Sequence, residues 1–123
     1  MIYLIGQKYV DLIAMKIQSV LENKIQIKKR TTYLSYLTIK NILKSKQGND
    51  KNVFLLLIDQ FNQKDIIEIK KLIDENRQNE NIKFATISFD GKKIDNVMSI
   101  NTENVSLICN EISKLNKEFV MND

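Results

Sequence analysis

Val53-Phe54-Leu55-Leu56-Leu57-Ile58-Asp59 is the stretch that decides the fold. Six apolar residues in a row, with no polar alternation, describe a strand buried on both faces. A central parallel strand of an α/β sheet, covered by helices above and below, has that pattern. Ligands of such sheets gather at the carboxyl ends of the strands, where Asp59 stands.

Working outward, residues 2–5 make a short apolar strand ending at Gly6. Val10, Ala14, Ile17 and Leu21 follow at helical spacing, with Ile13 and Val20 widening the stripe. Ile25-Gln26-Ile27 alternates as a short strand near an edge. Thr31 or Thr32 then caps a second helix running to about Lys46, with Leu34, Leu37 and Leu43 among its apolar positions. Gln47-Gly48-Asn49-Asp50 is a stop and loop. Beyond the central strand, Asn62 caps a third helix carrying Ile66, Ile69, Leu72 and Ile73, which ends in the polar segment 74–81. Residues 82–89 form another strand, Asp90-Gly91 a tight turn, and residues 97–100 a last short strand. Thr102 caps a closing helix with Val105, Ile108, Ile112, Leu115 and Phe119 on one face.

The order βαβαβαββα predicts a three-layer open sheet, mostly parallel, with flavodoxin-like strand order 2-1-3-4-5. The segment between residues 89 and 97 is too short for a full helix. Either the fourth helix is reduced to a loop, or Asp90-Gly91 makes a hairpin and the last strand runs antiparallel. A chain of 123 residues holds one core, so residues 1–123 read as a single domain. Such a chain also has the form of the N-terminal sensor or localisation domain of a longer assembly protein.

Composition narrows the chemistry. There is no histidine, which removes the usual general base and the commonest metal ligand. Cys109 is alone, so neither an internal disulfide nor a cysteine-based zinc site can form, and its place beside Ile108 predicts a buried, inert thiol. No segment matches a P-loop or the glycine fingerprint of dinucleotide binding, and the first strand ends in one glycine only. The toprim type of nucleic-acid cleavage domain wants a glutamate after the first strand and Asp-x-Asp after the third; Gln7 and Asp59-Gln60-Phe61 stand there. These features point away from an enzyme and call for no cofactor and no metal. No apolar run reaches the roughly 18–20 residues that span a bilayer, and the first residues lack a signal peptide's basic start, so a cytoplasmic protein is expected.

The net charge of +4 is unevenly spread: residues 1–48 carry +7 and the rest −3. Lys28, Lys29 and Arg30 lead toward the second helix, where Lys40 and Lys44 lie one turn apart, with Lys46 near the end and Tyr33 and Tyr36 beside them. This segment is a docking candidate for an acidic protein surface, the chain's own acidic half included, and a lesser candidate for nucleic acid. Lysine is also the default surface residue of a chain so rich in Lys, Asn and Ile.

The order of elements resembles the receiver domains of two-component signalling over nearly the whole chain. The resemblance puts Asp59 at the phosphoacceptor position and Ser88, near the end of the fourth strand, at the switch serine or threonine. It fails at two others: Gly6-Gln7-Lys8 stands where receivers keep a magnesium-holding acidic pair, and Asn101-Thr102 where they keep a lysine. Magnesium needs hard oxygen ligands, and without it and the lysine a transferring phosphoryl group goes uncompensated. The resemblance therefore implies an atypical receiver that works without phosphorylation. Its binding surfaces would be the loop end around Gly6, Gln7, Asp59 and Ser88, and the last-strand and last-helix face. The expected function is a non-catalytic interaction or assembly module, binding a protein partner or itself. The alternative is a nucleic-acid-binding accessory protein using residues 28–46, as in plasmid or phage maintenance.

Overall fold

Every residue of β3 (Asn52–Leu57) is buried, because a strand lies on each side and helices cover both faces. The computed structural model describes residues 1–32, 34–45 and 50–121. Tyr33, Lys46 and the Gln47-Gly48-Asn49 part of the expected loop lie outside the described residues.

β3 pairs with β1 (Ile2–Gly6) and β4 (Ile82–Ser88); β2 (Ile27–Thr31) and β5 (Met98–Asn101) are the edges. The order is β2-β1-β3-β4-β5, and all four pairings are parallel. The sheet is thus the expected flavodoxin-like one, and of the two directions left open for the last strand the parallel one is found. The crossover from β4 to β5 carries no helix. Gly91 takes a left-handed φ of 87° there, and Ile94 turns in to cover the sheet.

Alternate residues of β3 serve two cores. Val53, Leu55 and Leu57 join Ile2, Leu4, Ala85 and Ile87 under α1 (Val10–Val20) and α4 (Val105–Leu115). Phe54 and Leu56 join Tyr3, Ile5 and Phe84 under α2 (Ser35–Ser45) and α3 (Gln63–Glu75). On that second face, Tyr3, Phe54 and Phe84 are register partners on three adjacent strands. Their rings stack with centroids 5.4 Å apart at both steps. After α4 the chain makes a π-helical turn (Asn116–Val120) that brings Phe119 and Val120 back onto the first core. Among the described residues, no helix is long and apolar enough to cross a membrane.

Three expectations need correction, and one open alternative is resolved. The second strand is 27–31, not 25–27, so Lys28, Lys29 and Arg30 lie on an edge strand that keeps one side in water and tolerates charge. Gln18 ties off the segment expected as strand, donating to Ile25 O and accepting from Ile27 N–H. In α2 the buried positions are Ser35, Ile39 and Ile42, while Leu34 and Leu37 face outward. Thr31 ends β2, and only Thr32 helps the helix start, accepting the Leu34 N–H at 3.1 Å. The cap of α4 is Asn104, which accepts from Ser106 and Leu107 N–H; Thr102 accepts from Asn104 N–H one step earlier. Asn62 caps α3 as expected, accepting from Asp65 N–H at 2.8 Å.

Candidate functional site

Parallel strands put the ends of β1, β3 and β4 side by side, and this brings Gly6, Gln7, Asp59 and Ser88 to one end of the sheet. Asp59 sits in a single 3-10 turn (Ile58–Gln60) directly after β3. Its carboxylate is already engaged. Ser88 Oγ donates to Oδ1 at 2.6 Å, and the Phe89 N–H donates to Oδ2 at 2.7 Å. Ser88 Oγ also lies 2.9 Å from Asp90 Oδ1 and accepts the Lys92 N–H at 2.8 Å. A hydroxyl has one proton, so the two carboxylates compete for it. The Ser88 hydroxyl, helped by the Lys92 N–H and ammonium, holds the exposed Asp90 carboxyl below its ordinary value.

Gln60 closes the other side of this end. Its Oε1 accepts the Gln7 N–H and its Nε2 donates to Lys8 O, clamping the loop after β1. Gly6 permits the close approach: a Cβ there would lie 2.7 Å from Leu57 Cδ1 and 3.2 Å from Gln60 Oε1. The Gly6-Gln7-Lys8 loop offers no carboxylate to a hard ion such as magnesium, and the Gln60 amide beside it is spent on the backbone. Among the described residues, no three His, Cys, Asp or Glu side chains gather in a metal-holding group.

A second serine–aspartate bond lies at the same end, with no local pattern along the chain to mark it. Asp65, in the first turn of α3, is buried and accepts from Ser35 Oγ at 2.6 Å. The N–H groups of Ser35 and Tyr36 reach the same carboxylate at 3.3 and 3.4 Å. Asp65 therefore caps a helix other than its own, 30 residues away in the chain. A carboxylate at a helix N-terminus is stabilised by unpaired N–H groups and by the helix dipole.

The basic candidates do not form one stripe. Lys29 turns toward α1 and meets Asp11 at 2.7 Å. Arg30 turns to the opposite face, its guanidinium 5.6 Å from the centre of the Tyr3 ring. Lys28 is exposed on the same strand, and Lys40 and Lys44 are exposed on α2. Cys109 is buried against Ile17 O, and burial pushes its thiol pKa up, as befits an inert packing residue.

The sequence reading also missed an apolar surface on α1. Leu12 and Met15 fall between the core positions of that helix at a spacing of three, which is a readable second stripe. Comparison of the chain with family models, curated proteins and solved structures found no match.

Proposed function

We propose that this chain is a non-catalytic, receiver-like interaction or assembly module that works without phosphorylation. The observation that carries this reading is the state of Asp59. Both of its oxygens accept hydrogen bonds from the chain itself, while the loop after β1, where the receiver resemblance wants metal-holding acids, is Gly6-Gln7-Lys8 and is clamped by Gln60. A carboxylate so engaged is a poor nucleophile and a good structural acceptor. The division of the basic trio between two faces supports protein docking over a phosphate-tracking groove, which needs its cations in line.

The test is incubation with acetyl phosphate and magnesium, read by intact mass. The mass should stay unchanged. A stable gain of one phosphoryl group, abolished by Asp59→Asn, would overturn the proposal. Micromolar, salt-sensitive DNA binding lost in a Lys28→Glu, Lys29→Glu, Arg30→Glu variant would instead favour the nucleic-acid alternative.

A further inference from the structure

The outer face of α1 is apolar where a solvated helix would be polar. Leu12 is 43% exposed and Met15 64%, while Tyr9 just before the helix is 70% exposed and Phe89 beside it 49%. Tyr9 holds a left-handed φ of 61° and its side chain makes no capping bond, so the strain of that conformation is not offset by a local cap.

Leu12 forms a ridge between two grooves. One, of about 510 Å3, runs between α1 and β2 and is lined by Ala14, Met15 and Ile27. The other, of about 410 Å3, runs between α1 and the start of α4 and is lined by Tyr9, Ile13, Phe89 and Val105. A ridge with a groove on each side is a shape that packs against its own copy.

Charge selects the occupant. The two grooves carry two acids, Asp11 and Glu103, and two cations, Lys16 and Lys29. This surface is neutral on a chain of net charge +4. An acidic protein or a nucleic acid would be drawn to the lysines elsewhere. A two-fold interface needs a patch that complements itself. Asp11 and Lys29 are already paired with each other at 2.7 Å, which leaves Lys16 and Glu103, one charge of each sign along the groove between α1 and α4, to meet their opposites on a second copy.

We infer that the outer face of α1 is a homodimer interface, with Leu12 and Met15 of each copy packed across a two-fold axis and Lys16 of one copy facing Glu103 of the other. The inference rests on the reading of the chain as an interaction module and names its partner as a second copy. It centres on α1 and reaches only the start of the last helix, whereas the receiver resemblance suggests the last-strand and last-helix face.

Sedimentation of the full chain from low to high micromolar concentration tests it. The parent should pass from monomer to dimer. Leu12→Glu and Met15→Glu should each weaken association about tenfold or more, as expected when a central apolar anchor is replaced by a charge. Both are exposed positions, and unchanged melting temperatures would show that the fold survives. Ile67→Glu, on the exposed face of α3 across the sheet, should leave association intact. Lys16→Glu and Glu103→Lys should each weaken the dimer, and the two together should restore it. A parent that stays monomeric, growth beyond a dimer, an unaffected Leu12→Glu variant or a double swap that fails to restore would each overturn the inference. A monomer that takes up no phosphate would sink the dimer and leave the interaction-module reading standing.

Discussion

Ser35–Asp65 and Ser88–Asp59 are the same bond, a serine hydroxyl donating to an aspartate over 2.6 Å, at one end of one sheet. Their surroundings differ. Ser35 and Asp65 are both buried, and the backbone N–H groups of α2 complete the carboxylate's shell. Asp59 is half-buried, and its serine is shared with exposed Asp90. The first bond joins two helices that no local signal connects; the second trims a loop. Depth and number of donors, not the pair of residue types, decide what such a bond does for the fold.

The largest effect is expected where the donors have nowhere else to go. Asp65→Ala strands the Ser35 hydroxyl and two N–H groups in a buried place, which costs about 2–4 kcal/mol. The melting temperature should fall by on the order of 10 °C. A loss no greater than that of Asp59→Ala would erase the contrast. Asp59→Ala should cost about 1 kcal/mol, because Phe89 N–H can turn to water and Ser88 can donate to Asp90 instead. Chemical denaturation with both variants side by side measures the ratio directly.

The smallest effect sharpens the comparison through pH. Asp90 titrates below its ordinary 3.8, so its bonds favour the folded state above that pH and are lost as pH falls through the lower folded value. Any gap in melting temperature between the parent and Asp90→Asn should therefore be present at neutral pH and close below about pH 3.8. A gap that opened on acidification would show that the proton of Ser88 is not contested as described.

The contrast also explains what could be read in the chain beforehand. β3 was legible because burial on both faces leaves an unbroken apolar run. With the strand order in hand, the ends of β3 and β4 become neighbours, so Asp59 and Ser88 could be brought together from sequence. β2 was misplaced because its ladder is made by backbone groups, while its side chains after Ile27 are charged or polar and face water. The phase of α2 was misread because Ser35 is held inward by Asp65, a residue of another helix. Gln60 stayed hidden for a related reason: an amide that clamps a distant loop looks, in sequence, like any surface glutamine.

The helix-free crossover between β4 and β5 has a consequence for how the molecule opens. β5 keeps four register pairs on one side and, among the described residues, has no strand on the other. Ile94 replaces the cover a helix would give. Local unfolding starts where cooperative support is thinnest, so this margin should breathe far more often than β3, which is released only when the whole domain melts. In amide exchange the two strands would separate into a fast and a slow class. Because α4 starts only a few residues after β5, each opening would loosen Glu103 and Val105, one wall of the groove beside α1. Whatever occupies that groove would hold the loose margin shut, and the strand it never touches would exchange more slowly.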